Sequence, residues 1–486
     1  MNKKQTTFSN FVYNMLYEIS LVVFPLITLP YLSRVVGSYS LGTYSYAHSI
    51  AYYFYLFSML GINNYGTRSI AKCCGDKTKT NKIFSSIFYF KMIVSLLSLS
   101  LYIGYCFIFC KESIWLPFSL ALYVFSAFFD INWLLFGLEE FKLTSIIKIV
   151  SRLFSTILIF LFVKSPDDVI VYSIILSSFE LVSSLFVWLF LPKKAKFIKV
   201  DFKSIFACSK EIFVLFIPIV ATSIYRYMDK IMIGNMASMF DVGQYDYAEK
   251  IIMICLGFLT AVGNVMLPKM SYLFEKKDYS QINKLIGIST KIVFLISFAL
   301  TFGVAFVGKE AAVLFFGNEY EKCGTLLSAL AITIIPISWA NIIRTQFLIP
   351  SKNDFPYVLA VVIGAVINFI CNLVFIRLYG VFGALVGTIV SEFVVALIQS
   401  AFVAPKIPVF KFISYGFPYL IIGFLMFRLL DIFNSFLIGS GFAKLGLHVL
   451  FGGLVYISLS GVYIFLFKDE LLPFVKTRFK KPINRL

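Results

Sequence analysis

Apolar residues arrive in about fourteen runs, each near the roughly 20 residues a helix needs to cross a hydrocarbon core. The runs fall at 9–33, 41–64, 83–109, 115–137, 145–164, 168–191, 208–236, 242–266, 285–308, 323–349, 354–377, 379–405, 413–431 and 443–467. Only Tyr379-Gly380 separates the eleventh from the twelfth. Long unbroken apolar segments of this length predict transmembrane helices rather than strands or buried core helices.

The polar intervals alternate in charge. One set holds Lys3 and Lys4; Arg68, Lys72, Lys77, Lys79 and Lys82; Lys142, Lys148 and Arg152; and Lys193, Lys194, Lys196, Lys199 and Lys203. It continues with Lys269, Lys276, Lys277 and Lys284, then Lys352, Lys406 and Lys411, and closes with Lys476, Arg478, Lys480, Lys481 and Arg485. The other set offers little beyond Arg34, Lys111, Lys164, Lys309, Lys322, Arg377, Arg428 and Lys444. Positive charge marks the cytoplasmic side, so both termini are expected inside. The first run follows two lysines without a small-residue cleavage site, so it is expected to stay as a helix rather than leave as a signal peptide.

Composition agrees with a membrane protein: 59% of the 486 residues are hydrophobic and 14% charged, against roughly 45–50% and about 25% for soluble proteins. The net charge of +18 sits in short clusters between apolar runs, which fits helix orientation and not nucleic-acid binding. No polar stretch is long enough for a soluble catalytic module. The cysteines have no metal-ligand spacing, Cys73-Cys74 being their one adjacent pair, and only His48 and His448 could assist, so no metal site is expected.

One segment repeats. Leu41-Gly-Thr-Tyr-Ser-Tyr-Ala-His-Ser-Ile50 returns as Val242-Gly-Gln-Tyr-Asp-Tyr-Ala-Glu-Lys-Ile251, identical at Gly42/Gly243, Tyr44/Tyr245, Tyr46/Tyr247, Ala47/Ala248 and Ile50/Ile251. The copies open the second and eighth runs. An even number of spans lies between them, so both face the same way, as in transporters built from parallel halves. The expected fold is an all-α integral membrane protein with two pseudo-symmetric parallel six-helix lobes, 1–205 and 206–410. Residues 411–486 add two further helices and a basic tail.

Ionisable groups at membrane depth cost about 2.5–3.5 kcal/mol each on insertion scales, so each needs a reason. The seventh run carries Arg226, Asp229 and Lys230. On an α-helix, spacings of three and four put Arg226 beside both others, with Thr222 a turn earlier. Either a buried ion network against Glu249 and Lys250 or a net-positive ligand site fits them. Tyr31-Leu-Ser-Arg34 parallels Tyr227-Met-Asp-Lys230, which a pseudo-two-fold axis would set on opposite walls of a cavity; Arg34 could also snorkel. Lys91, Asp130, Glu180 and Glu392 lie near mid-depth, and Glu18 in the inner half of the first run. Such a carboxylate could carry a proton or hold Na⁺, or simply bridge helices. Arg344 is expected to snorkel. Pro25, Pro30 and Pro218 remove helix hydrogen bonds at related places in the two lobes, as hinges or for packing. The aromatic run Tyr52-Tyr-Phe-Tyr-Leu-Phe57 could stack on sugars, although ordinary packing is the expected use in a chain that is 18% aromatic.

Pro25-Leu-Ile-Thr-Leu-Pro-Tyr-Leu-Ser-Arg-Val-Val-Gly37 after Asn14, Leu41-Gly-Thr-Tyr-Ser-Tyr46 and Leu60-Gly-Ile-Asn-Asn-Tyr-Gly-Thr-Arg68 resemble the N-terminal signature of Wzx-type polysaccharide flippases. Tyr227-Met-Asp-Lys-Ile-Met-Ile-Gly234 with the second repeat copy resembles the signature of their second half. That family belongs to the superfamily of multidrug (MATE) exporters and the lipid II flippase. The resemblance implies transport of undecaprenyl-diphosphate-linked oligosaccharide units from the cytoplasmic to the outer leaflet of the bacterial inner membrane, driven by a proton or sodium gradient without a bound cofactor. It also implies partnership with polysaccharide polymerase machinery. Ser33-Arg34-Val35-Val36-Gly37 resembles a place where the lipid II flippase is thought to grip the diphosphate with arginine. Arg34, Arg226, Lys230, Lys91 and Lys250 are therefore the candidate diphosphate ligands, and Asp130, Glu180, Asp229, Glu18 and Glu392 the candidate coupling carboxylates. Glu18 departs from the uncharged residue the family leads one to expect. A MATE-like exporter of organic cations would share the fold but should have an acidic cavity. A membrane enzyme of polysaccharide assembly should have a large outer loop, and none here exceeds about fifteen residues.

Overall fold

The computed structural model describes residues 3–73, 76–110, 114–437, 439 and 441–467. Cys74, Lys111 and the basic residues of the tail, Lys476 to Arg485, lie outside the described residues. All regular structure among the described residues is helical. Thirteen helical stretches are long and apolar enough to cross a membrane. Residues 37–59, rich in Tyr and Ser, form a 23-residue helix that is not among them; with it the stretches correspond to the runs read from sequence.

The helices gather into two compact units, Met1–Gly243 and Gln244–Leu486. The first holds α1 (Lys3–Val35), α2 (Gly37–Met59), α3 (Ile62–Ala71), α4 (Lys77–Phe109), α5 (Trp115–Ser119), α6 (Ala121–Phe129), α7 (Asn132–Gly137) and α8 (Phe141–Phe162). It continues with α9 (Val169–Trp188), α10 (Leu191–Lys194), α11 (Phe202–Phe206), α12 (Ser209–Ser223) and α13 (Asp229–Met236), so the seventh apolar run clusters with the first six. The long helix α14 (Met239–Glu275) begins in this unit and runs into the second. There it is followed by α15 (Tyr279–Phe316), α16 (Glu321–Leu330), α17 (Ile334–Ile343), α18 (Phe355–Tyr379), α19 (Val381–Val403), α20 (Val409–Ser414), α21 (Phe417–Phe436) and α22 (Phe442–Leu466).

Three runs are not the continuous helices that apolar length alone suggests. Residues 115–137 break into α5, α6 and α7, because Leu120 ends one piece and Asp130 turns extended (φ −69°, ψ 106°). The break frees backbone groups, and three of them find side chains. Trp188 Nε1 donates to the Phe129 carbonyl at 2.8 Å, Lys91 Nζ donates to the Asp130 carbonyl, and Asp130 Oδ1 accepts from Asn132 N at 2.8 Å. Residues 208–236 contain a π-helical turn at Ile224–Met228, and 323–349 contain another at Arg344–Leu348. Single π turns inside membrane helices recur at functional sites. The eleventh and twelfth runs separate as expected: Gly380 has φ +59°, a left-handed conformation that glycine adopts without strain.

Close packing holds the first unit together. A Cβ on Gly66 would lie 2.5 Å from Trp133 Cε3 and one on Gly137 2.6 Å from Ile70 Cβ, so α3 and α7 approach at a distance only glycine permits. The first turn of α4 is capped by Asp76, whose carboxylate accepts from the Lys79 and Thr78 amides at 3.1 and 3.0 Å. Those bonds, the Lys79 amide foremost, hold its carboxyl below the usual carboxylate range.

Each of two repeated tyrosines meets a helix of its own unit. Tyr44 packs edge-on to Tyr172 of α9 (4.8 Å between centroids), and Tyr245 shares a 2.7 Å hydrogen bond with Thr388 of α19.

Candidate functional site

Aromatic and charged side chains of the first unit converge around α2 and the π-helical turn. Tyr44, His48, Tyr52 and Tyr55 are spaced by four, four and three residues, which sets them on one face of α2. Tyr123 of α6, Tyr172 of α9 and Tyr227 of the π turn face them. Tyr52 lies flat on Tyr227 (3.8 Å, 17°), and Tyr55 on Tyr123 (4.7 Å, 18°). His48 joins the two stacks, with its ring 5.0 Å from Tyr123, 5.6 Å from Tyr44 and 6.2 Å from Tyr227. Six tyrosines and one histidine thus form a continuous tier of rings.

Charge surrounds the tier. Lys230 Nζ lies 5.6 Å from the Tyr227 ring centroid, a cation–π contact. Arg226 is the charged neighbour of Tyr52, and Asp229 that of Tyr53. Asp130 and Glu180 both act electrostatically on Tyr55, and Glu180 also on Tyr123. From α8, Lys148 interacts with Tyr17, Asp130, Glu180 and Arg152. Its Nζ and the Arg152 guanidinium stand over the Tyr17 ring at 5.6 and 5.8 Å.

The Arg226 cluster does not lie on an unbroken α-helix: Arg226 is in the π turn Ile224–Met228, and Asp229 and Lys230 open α13. Arg226 is exposed while Asp229 and Lys230 are 2% and 9% exposed. Arg34 is exposed in the last turn of α1, where the helix dipole favours a cation. The surroundings of the paired tyrosines also differ. Tyr31 donates to the Val163 carbonyl at 2.7 Å and carries Lys164 at 5.8 Å, whereas Tyr227 belongs to the ring tier.

Other candidates lie apart from the tier or serve the backbone. Lys91 is fully buried and holds the helix break through the Asp130 carbonyl. Glu18 is exposed on α1 between Leu16 and Ile19, which are exposed too. In the second unit Lys250 pairs with Asp246 at 2.6 Å and stands 5.3 Å from the Tyr247 ring. Glu392 is half-buried on α19, one turn beyond Thr388. Arg344 opens the second π turn and meets Tyr357, its Nη1 3.5 Å from the hydroxyl and its guanidinium 5.4 Å from the ring. Sequence reading counted Lys148 and Arg152 as loop charges and passed over Tyr123 and Tyr172. The four-residue spacing of Lys148 and Arg152 inside an apolar run was the available signal.

No group of three or more metal-ligating side chains occurs among the described residues. The cations and carboxylates around the rings can instead engage a phosphate and the hydroxyls of a sugar directly.

Comparison with known proteins gives the arrangement its context. The chain is 26% identical over 382 residues to a putative O-antigen transporter of Shigella dysenteriae, covering 77% of this chain and 94% of that one. It is 26% identical over 245 residues to a probable low-salt glycan biosynthesis flippase of Haloferax volcanii, covering 49% and 50%. Its fold is similar to that of the lipid II flippase MurJ in an inward closed conformation, with a TM-score of 0.75 at 17% identity, covering 96% of this chain and all of that one. An inward-facing multidrug resistance MATE family transporter is more distant, at a TM-score of 0.61 and 15% identity, covering 80% and 95%. The family described as polysaccharide biosynthesis protein matches residues 8–274, more than half the chain, and this chain belongs to that family.

Proposed function

We propose that this protein is a flippase for lipid-linked oligosaccharide repeat units, carrying them by alternating access from the cytoplasmic to the outer leaflet for surface polysaccharide assembly. The observation that carries this reading is the juxtaposition of Arg226 and Lys230 with a tier of tyrosines. A diphosphate cannot cross hydrocarbon unaided and needs cations in a polar shelter. Arginine offers bidentate hydrogen bonds and lysine a compact charge. Similarity to O-antigen transporters along most of the chain supports the same cargo class.

In this account the carrier is undecaprenyl diphosphate, and Arg34, Arg226 and Lys230 are its ligands. The repeat divides the chain into functional lobes at 1–205 and 206–410, followed by 411–486. Both termini are cytoplasmic in the bacterial inner membrane, and the released unit passes to polymerase machinery. A proton or sodium gradient drives the cycle through one of Asp130, Glu180, Asp229, Glu18 or Glu392. The protein acts as a carrier and catalyses no bond change. The cations beside the tier disfavour an organic-cation exporter on the same fold.

The test is replacement in the producing cell. Lys230→Ala or Arg34→Ala should sharply reduce surface polysaccharide and leave lipid-linked units accumulating, with the protein still inserted. Lys230→Arg should retain more function than Lys230→Ala. Full export by well-expressed alanine variants at both positions would move the diphosphate site elsewhere.

A further inference from the structure

We propose that the ring tier of Tyr55, Tyr123, His48, Tyr52 and Tyr227 is a carbohydrate subsite, which takes the sugars nearest the diphosphate while Arg226 and Lys230 take the phosphates. This deepens the flippase reading and rests on it.

The choice of residue is the first support. Phenylalanine outnumbers tyrosine 56 to 28 in the chain, yet the seven rings of the tier are six tyrosines and a histidine. Packing against hydrocarbon would be served as well by phenylalanine. A tyrosine adds a hydroxyl that donates and accepts at the edge of an apolar ring. A pyranose has the matching character, with an apolar C–H face and a rim of hydroxyls.

Accessibility is the second. Tyr245, Tyr247, Tyr102 and Tyr320 are sealed in the packed core, each no more than 1% exposed. His48, Tyr52, Tyr55, Tyr123 and Tyr227 are only half-buried, so the tier keeps surface to offer.

The arrangement of charge is the third. Charge of both signs surrounds the rings: Asp130, Glu180 and Lys148 act about Tyr55 and Tyr123, and Arg226, Lys230 and Asp229 about Tyr52, Tyr53 and Tyr227. Cations pair with phosphate and carboxylates accept hydrogen bonds from sugar hydroxyls, so the surroundings of the tier suit both parts of a sugar diphosphate. Ligand sites elsewhere share this build: broad apolar faces give affinity and a few placed polar groups set orientation.

Binding by the full chain in lipid nanodiscs tests this with two probes. One is undecaprenyl diphosphate; the other is the repeat-unit lipid extracted from producing cells that lack this transporter. The wild type should bind the repeat-unit lipid about tenfold more tightly than the sugar-free lipid. Tyr55→Leu and Tyr123→Leu should erase that margin and leave undecaprenyl diphosphate affinity unchanged, which also shows that they are folded. Tyr55→Phe, which keeps the ring, should lose only about threefold. Leucine variants that keep the margin would overturn the subsite, and so would a wild type that binds the two lipids equally or variants that lose both probes alike. A wild type that binds neither lipid would instead overturn the flippase reading on which the subsite rests.

Discussion

Asp130 has two possible roles, and one pair of substitutions separates them. Its Oδ1 accepts from both the backbone N and the Nδ2 of Asn132 at 2.8 Å, within a break whose carbonyls are held by Trp188 and Lys91. Asp130→Ala removes the acceptor. Asn132 is buried, so stranding its backbone N–H and Nδ2 should cost about 1–3 kcal/mol. Asp130→Asn keeps an acceptor oxygen in place, so it should cost less than about 0.5 kcal/mol. Unfolding in mixed micelles of dodecyl maltoside and SDS, followed by tryptophan fluorescence, reads both, because Trp133 and Trp188 sit beside the break. An alanine variant as stable as the wild type, or an asparagine variant as unstable as alanine, would refute the structural role of this acceptor. With the fold intact in Asp130→Asn, gradient-driven flipping decides the second role: retained coupling removes Asp130 from the coupling carboxylates and leaves Glu180, Asp229, Glu18 and Glu392.

Gly66→Ala should destabilise the protein by about 1–3 kcal/mol in the same unfolding assay, since its methyl would enter the Trp133 ring. Tyr245→Phe should cost about 1 kcal/mol through loss of its 2.7 Å bond to Thr388, with Tyr245→Leu costing more. Protection of the Thr78 and Lys79 amides should fall as the pH drops through the lowered pKa of Asp76. The sign follows because the cap requires the carboxylate, so its contribution is present above the ordinary range near about 4 and is lost below. Hydrogen exchange across that range measures it, and unchanged protection in acid would contradict the cap.

Much of the fold was legible because a membrane restricts the choices. Apolar length and alternating loop charge lead to helices and their approximate number without any contact being known, whereas the compact units, Met1–Gly243 and Gln244–Leu486, do not follow the expected boundaries at 205 and 410. The internal breaks were not legible. Asp130 reads as one more carboxylate in an apolar run, and only Lys91, Trp188 and Asn132 in place show that it turns the backbone. The π turn at Ile224–Met228 was hidden for a similar reason, since period-counting assumes an unbroken α-helix and an extra residue per turn leaves no mark in composition. The site was half visible. Lys230, Arg226 and Asp229 stood out as costly charges at depth, whereas Tyr123 and Tyr172 come from distant segments and look like ordinary apolar positions until α6 and α9 pack against α2. Lys148 and Arg152 were misread because a cation near a helix end looks the same whether it anchors the helix or faces the interior.

The central claim is that the protein moves lipid-linked oligosaccharide across a bilayer and uses cations at the π turn to do so. Reconstitution into proteoliposomes with fluorescently labelled repeat-unit lipid, followed by quenching from the outside, measures this directly. Wild-type protein should bring the lipid to the accessible leaflet under an imposed proton or sodium gradient, and Lys230→Ala should slow it by about tenfold or more. Transport at the wild-type rate by Lys230→Ala and Arg226→Ala together, or no transport by the wild type under either gradient, would contradict the account.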